Sequence, residues 1–145
     1  MKKIFFLWSV ALFACSISEA KIRRVGFFGN LIANTDYNTF AAAYAAAVSG
    51  DTILMFPNTV VSGTLTKKLI IIGPGNWLDP ASTPKGNANM QAFPGIATAT
   101  SVTLNSGSEG SVIMGLKGGL FSVNVNDISI VRNTELTVYV CSSNN

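Results

Sequence analysis

The pattern of apolar and polar residues predicts a series of short strands along most of the chain. Residues 121–125 and 136–140 alternate strictly, which places their apolar side chains on one face of a strand. The other predicted strands are short apolar runs closed by Gly, Pro or Asn, at 25–28, 52–56, 59–61, 69–72, 101–104, 112–114 and 128–131. This regular spacing of strands and turns predicts an all-β protein.

One stretch has the period of a helix instead. Apolar residues recur at i, i+3, i+4, i+7 and i+8, at Phe40, Ala43, Tyr44, Ala47 and Val48. The alanines between 41 and 47 favour a helix, residues 34–36 supply capping side chains, and Gly50 is suited to end it. We therefore predict one helix, which covers a core with its apolar face.

The first twenty residues have the layout of a signal peptide. Lys2 and Lys3 precede an apolar run at 4–14, which is broken only by Ser9. Small residues at Ser18 and Ala20 mark a peptidase site before Lys21. Because the apolar run is too short to cross a bilayer of about 30 Å with margin, we expect no stable transmembrane anchor. Residues 1–20 are predicted to be removed on export, to the exterior or the cell surface.

An alternative is export as a lipoprotein. The sequence Leu12-Phe13-Ala14-Cys15 approximates the box that ends in a lipidated cysteine. The bulky Phe13 fits that box poorly, so cleavage after Ala20 is the favoured interpretation. It leaves Cys141 without a partner in the chain, and hence no disulfide framework or cysteine metal site.

Composition and charge narrow the class of protein. Hydrophobic residues make up 48% of the chain and charged residues 12%, as suits a β-rich extracellular protein. Beyond residue 20 the chain has eight basic and six acidic residues, and only Arg23-Arg24 and Lys67-Lys68 are basic clusters. This charge pattern excludes a nucleic-acid footprint. The export signal and the lack of a cysteine framework favour a bacterial protein.

Residues 76–100 interrupt the strand pattern. This segment has little periodicity and contains Pro80, Pro84 and Pro94. We predict a long loop, pinned to the body by Trp77, Met90 and Phe93.

The sequence at 40–75 resembles a known class. Gly50-Asp51-Thr52-Ile53 follows an alanine-rich helix, and Ile72-Gly73-Pro74-Gly75 ends a later strand. These motifs resemble the N-terminal cap and first coils of right-handed parallel β-helix proteins of the pectin-lyase-like class. The resemblance implies an all-β fold, a short right-handed parallel β-helix (β-solenoid) with one N-terminal capping α-helix. Its domain would span 21–145, with a cap at 25–50, coils at 51–75 and 101–140, and the long loop at 76–100.

The resemblance also implies how such a domain is closed. The helix would plug one end with Phe40, Tyr44 and Val48, and residues 110–116 and 127–133 look like further coils. In this class the terminal Asn of such strands, here Asn133, can stack in a ladder. The chain has room for about three or four coils and no evident C-terminal cap. We therefore expect a truncated relative, a gene fragment, or a short solenoid closed by another chain.

Candidate chemistry is sparse. Proteins of this class cleave or bind polysaccharides, and the enzymes need clustered aspartates, or acidic calcium ligands with a basic group. Acidic residues here are spread one per segment, at Asp36, Asp51, Asp79, Glu109, Asp127 and Glu135, and histidine is absent. Asp51 and Asp127 are better explained as turn residues. The sequence thus favours a protein without catalytic, cofactor or metal residues, although enzyme activity stays an open question.

Three residues are candidates for carbohydrate contact. Trp77 and Tyr139 offer aromatic rings for stacking on sugars, and Arg132 offers a cation for acidic sugars. We expect a secreted, non-enzymatic protein with a structural, adhesive or carbohydrate-contacting role, whose partner is a polysaccharide or itself by end-to-end association. The alternatives are a truncated chain of a polysaccharide lyase or glycoside hydrolase, and a β-sandwich binding module.

Overall fold

The computed structural model describes residues 19–26, 35–74 and 95–141, which form one helix and ten strands. The helix, α1, spans Phe40–Ala46. The strands are β1 Ile22–Val25, β2 Thr52–Met55, β3 Val60–Leu65, β4 Ile70–Ile72, β5 Ala97–Leu104, β6 Val112–Met114, β7 Leu116–Lys117, β8 Leu120–Val123, β9 Ser129–Val131 and β10 Thr137–Val140.

The strands form two parallel sheets. The first has the order β1-β2-β4-β6-β9, and the second has the order β10-β8-β5-β3, with β7 also paired to β5. From β2 to β6 successive strands alternate between the two sheets. Every strand pairing among the described residues is parallel.

The core consists of rows of apolar side chains that run across neighbouring strands. In the first sheet, Ile53, Ile71 and Ile113 stand side by side and are buried. In the second sheet, register aligns Leu65, Leu104 and Val123 in the same way. All of them belong to one buried cluster. Since side chains alternate along a strand, each sheet turns one such face toward this core.

Helix α1 packs its apolar face on the first strands of both sheets. The side-chain oxygen of Thr39 caps it by accepting a hydrogen bond from the backbone N–H of Ala42, at 3.2 Å. Phe40 and Ala43 are buried as predicted, but Val48 is 47% exposed. The predicted apolar face is therefore wrong at Val48, because Ala47 is already extended and the helical period stops before it. The predicted cap at 34–36 is also replaced by Thr39.

The fold class inferred from the resemblance is wrong. It was an all-β, short right-handed parallel β-helix, whereas the structure has two parallel five-stranded sheets and one helix, an α/β-like combination. Parallel sheets of this kind occur mainly in α/β proteins, where both of their faces are covered. Short apolar runs with glycine at their ends predict where strands and turns lie. They do not specify how the strands are ordered into sheets.

Most individual strands lie where the alternation places them. The strand predicted at 112–114 is confirmed as β6, and those at 52–56 and 136–140 differ from β2 and β10 by one residue. β1 begins three residues before the predicted 25–28. β5 begins at Ala97, inside the predicted loop 76–100, of which residues 76–94 lie outside the described chain.

Two glycines permit close approach between neighbouring turns. A Cβ atom on Gly73 would collide with the backbone carbonyl of Gly115. Gly107 has a φ of 99°, and a Cβ atom there would meet the carbonyl of Thr66. Glycine is needed at Gly73 because of space, and at Gly107 because of both space and conformation.

Candidate functional site

The two sheets end together in a surface that we call the open end: β9, β10 and their exposed apolar side chains. Register places Val138 beside Phe121 and Val140 beside Val123. Phe121 and Val123 are buried, whereas Val138 is 42% exposed and Val140 is 73% exposed. The row of core side chains in the second sheet therefore continues onto a strand that no other described residue covers.

The backbone of β9 and β10 is also paired on one side only within the described chain. Within the described chain, β9 pairs only with β6, and β10 only with β8. β9 and β10 contain neither a charged residue nor a proline. Charged residues and prolines are the usual protection of an edge strand against pairing with another chain. The open end is thus a surface with exposed apolar side chains, whose outer strand edges pair with no other strand of the described chain.

The predicted carbohydrate-contacting residues fall in different places. Tyr139 lies on β10 and is 57% exposed. Arg132 is exposed in the turn after β9, with a φ of 55°. Tyr139 thus belongs to the second sheet, whereas Arg132 follows a strand of the first sheet. Trp77 lies outside the described residues.

A row of polar residues follows the ends of the strands in the second sheet. Nδ2 of Asn124 donates to Oδ1 of Asn105 at 2.7 Å. Cys141 occupies the corresponding position after β10, the next strand in this sheet. Its backbone N–H donates to the carbonyl of Val123, and the residue is exposed. Asn133, for which the resemblance implied a ladder, bonds backbone instead: it accepts from the N–H of Leu116 and donates to the carbonyls of Ile113 and Val131.

The opposite end is covered, and we call it the closed end: β1, residues 35–39 and α1. The outer edge of β1 is occupied, since the backbone N–H groups of Asp36 and Tyr37 both donate to the carbonyl of Arg24 and Gly26 donates to that of Tyr37. The backbone N–H of Thr66, just after β3, donates to the hydroxyl of Tyr44 at 2.8 Å. Backbone groups at this end therefore have partners in the chain.

Lys67 holds the C-terminal end of α1. Its ammonium donates to the carbonyls of Tyr44 and Ala47 at 2.9 and 2.8 Å, and it lies 4.7 Å from the centre of the Tyr44 ring. A cation at this position satisfies the last carbonyls of the helix and opposes the negative end of its dipole.

The closed end also contains a buried ion pair. Asp51 is fully buried, and its carboxylate accepts hydrogen bonds from the backbone N–H groups of Lys21 and Val48 at 2.8 and 3.0 Å. Nε of Arg23 donates to the same carboxylate at 2.7 Å, and Nη1 of Arg23 donates to the hydroxyl of Tyr37 at 2.8 Å. These contacts join the start of β1 to the start of β2.

The charge states of this pair follow from its contacts. Burial by itself raises the pKa of Asp51, but hydrogen bonds from the backbone of Lys21 and Val48, and then from Arg23, outweigh it and lower the pKa. The hydrogen bond to Asp51 is the main cause that raises the pKa of Arg23. Both side chains are therefore charged at neutral pH, and Asp51 serves as a structural anion.

The remaining described carboxylates are separated. Arg24 faces Asp36 at 3.8 Å, Lys117 faces Glu135 at 3.1 Å, and Glu109 accepts from the backbone N–H of Gly107. Asp127 has a φ of 59°, as expected for a turn residue. The part of the chain that the structure describes contains no group of three or more acidic, Cys or His residues able to hold a metal ion. None of its helices is long and apolar enough to cross a membrane.

Comparison with family models found no match, and neither did comparison with curated proteins or with solved structures. The likeness to the pectin-lyase-like class thus depends only on the motifs quoted above.

Sequence reasoning missed the partners of the closed end. Arg23 and Lys67 were noted only as members of basic pairs, although both bind groups far away in the chain. A signal for Arg23 exists in hindsight, because a cation inside an apolar strand needs a counter-ion and Asp51 directly precedes the next strand. No local pattern points from Lys67 to the end of α1.

Proposed function

We propose that this protein is exported and acts without catalysis as a structural protein, assembling end to end with copies of itself. The observation that carries the proposal is the change along one row of side chains, from buried Phe121 and Val123 to exposed Val138 and Val140. Uncovered core rows and strand edges favour association with another chain.

The occupant that best fits the open end is the closed end of a second copy. The outward side of α1 consists of the exposed alanines Ala41, Ala42, Ala45 and Ala46, and the helix contains no charged residue. A helix that is apolar all round is usually buried on all sides. The outer face of α1 therefore supplies a flat apolar surface that matches an uncovered core row.

Charge favours the same arrangement. Among the described residues, the segment 19–68 has five basic and three acidic residues, whereas 109–141 has two basic and three acidic. The first segment contains the closed end and the second contains the open end, so the parts of two copies that approach each other carry net charges of opposite sign, although α1, β9 and β10 themselves contain no charged residue. Such a head-to-tail contact leaves one end free on each copy and generates a filament unless the rotation closes a ring.

Two point variants test this arrangement by sedimentation velocity over a dilution series. Val140→Lys blocks the open end and Ala45→Lys blocks the outer face of α1, and both positions are exposed. We expect the unmodified chain to form larger species as concentration rises, and each variant alone to remain monomeric. An equal mixture of the two should form a one-to-one dimer, because only one pair of intact ends is left.

Ser101→Lys is the matched control, since it adds the same charge at an exposed position in the middle of β5. It should assemble like the unmodified chain. A monomer at every concentration contradicts self-assembly, and an Ala45→Lys variant that still dimerises shows that two open ends meet. Because Cys141 is exposed beside β10, part of the association should be reductant-sensitive, but assembly that disappears entirely in reductant means that a disulfide causes it.

Contact with a polysaccharide is a second proposal, and the exposure of Tyr139 on β10 favours it. An exposed ring on a strand is a ready stacking surface for a sugar. Co-sedimentation with insoluble neutral and acidic polysaccharides measures it. We expect retention without release of soluble sugar, and retention that falls when Tyr139 is changed to Ala. Release of sugar products would instead support the lyase or hydrolase alternative.

A further inference from the structure

We propose that removal of residues 1–20 completes the closed end, because it converts the backbone nitrogen of Lys21 into an α-ammonium group that pairs with Asp51. The inference rests on the proposed export with cleavage after Ala20. In the uncut chain this nitrogen already donates to Oδ1 of Asp51 at 2.8 Å. The charge of the new terminus would thus appear beside a buried carboxylate.

The chemical step is hydrolysis of one peptide bond by a peptidase. One water is consumed, the carboxylate stays on Ala20, and the amino group stays on Lys21. An α-amino group has an ordinary pKa of about 7.7–8.0, so it takes up a proton near neutral pH. The hydrogen bond to Asp51, until then charged only on its acceptor, becomes an ion pair with a charge on both partners.

The local structure is suited to such a cut. Glu19 and Ala20 are exposed and lie outside any strand, and β1 begins only at Ile22. The carbonyl of Lys21 accepts from the backbone N–H of Thr52 at 2.9 Å. Because that bond does not involve residues 1–20, it holds the new terminus near Asp51 after cleavage.

Neighbouring charges limit how much the α-ammonium group of Lys21 can stabilise the fold. Arg23 already pairs with Asp51, and its guanidinium repels a second cation at the same carboxylate. Tyr37 contributes a hydroxyl through Arg23, the side chain of Lys21 adds another positive charge, and α1 contributes no charged residue. Because Lys21 is exposed and solvent screens the new pair, we expect about a fivefold decrease in the unfolding equilibrium constant, the upper end for an exposed ion pair.

The pH dependence has a definite sign. An α-amino group that gains an anionic partner has a higher pKa in the folded chain than in the unfolded one. Its stabilisation is complete below the unfolded-state pKa of about 7.7 and is lost as the pH rises through the folded-state value.

Urea unfolding of three forms tests the inference: the unprocessed chain, the chain that begins at Lys21, and that same chain acetylated on its α-amino group. Acetylation keeps the N–H donor and removes only the charge. At pH 6 we expect the processed chain to have an unfolding constant about fivefold below that of the acetylated form. The difference should disappear above about pH 10 and in an Asp51→Asn background.

Two outcomes overturn the inference in distinguishable ways. N-terminal sequencing of the exported protein that finds a start other than Lys21, such as lipidated Cys15, removes both this inference and the proposed cleavage. If the chain starts at Lys21 but is no more stable than its acetylated form, only this inference is contradicted. Neither outcome depends on whether the open end assembles.

Discussion

The closed end and the open end terminate the same two sheets in opposite ways. At the closed end, residues 36–37 occupy the edge of β1, and α1 lies against the first strands with Phe40 and Ala43 buried. At the open end, β9 and β10 are the last strands that the structure describes, and Val140 is exposed. A row of core residues is therefore stable only where something lies beyond its last strand. The difference is one of covering: the first strands are covered by α1 and residues 35–39, whereas Val138 and Val140 are exposed.

The largest expected loss of stability comes from a substitution at the closed end. Phe40→Ala removes a buried ring from the face of α1 that covers the core, and should lower the free energy of unfolding by about 3–5 kcal/mol. Val138→Ala at the open end removes a side chain that is partly in water, and should cost less than about 1 kcal/mol. Urea unfolding of both variants makes the comparison. Similar losses at the two positions would mean that the open end is covered as well as the closed one.

The next effect concerns the ion pair at the closed end. Asp51→Asn leaves Arg23 without its anion and weakens the acceptor for two backbone N–H groups, so we expect a loss of about 2–3 kcal/mol at neutral pH. Since the pKa of Asp51 is lowered on folding, its contribution is present above the unfolded-state pKa of about 3.9 and is lost as the pH falls through the folded value.

Unfolding measured from pH 7 down to pH 2 tests that dependence. The unmodified chain should lose stability over the acid range, and Asp51→Asn should lose less. Asp36→Asn is the control, because Asp36 is exposed and faces Arg24 at 3.8 Å. It should change stability by less than about 1 kcal/mol. An equal effect at both carboxylates would argue against a special role for the buried pair.

The smallest effect sharpens the description of how α1 is held. Lys67→Met keeps most of the apolar stem but removes the ammonium that binds the carbonyls of Tyr44 and Ala47. We expect a loss of about 1 kcal/mol in the free energy of unfolding. Lys68→Met, at the exposed neighbouring position, should have little effect. If the two variants were equally stable, Lys67 would be an ordinary surface lysine.

Local pattern was sufficient for most of the elements. A short apolar run located β6, and alternation located β8 and β10 to within a residue or two at each end, because the side chains of a half-buried strand alternate between the core and the other face. Helical spacing located α1 and the buried positions Phe40 and Ala43. Where the local signal stopped, as at Val48, the prediction was wrong, because the period of an apolar pattern does not mark where the backbone leaves the helix.

The candidate site could be predicted only in part. Tyr139 was singled out as an aromatic residue on a good strand, and it is exposed on β10. Asp51 was assigned to a turn, and its carboxylate does accept from the backbone N–H of Val48, but its other partners are Arg23 and the backbone nitrogen of Lys21, about thirty residues earlier in the chain. Such partners follow from the register between β1 and β2, which no local pattern encodes.

The sequence by itself determined where strands, turns and the helix form, since these depend on side-chain period, capping residues and glycine. It also determined that charged residues are scarce and that no imidazole side chain is present. Only the tertiary structure decided that the strands order into two parallel sheets, that Asp51 is buried between Lys21 and Arg23, and that Val138 and Val140 are exposed. The physical reason is that burial belongs to the neighbours of a residue in space. Val123 and Val140 have the same local pattern, but Val123 has a paired strand on both sides, whereas Val140 has one on a single side among the described residues.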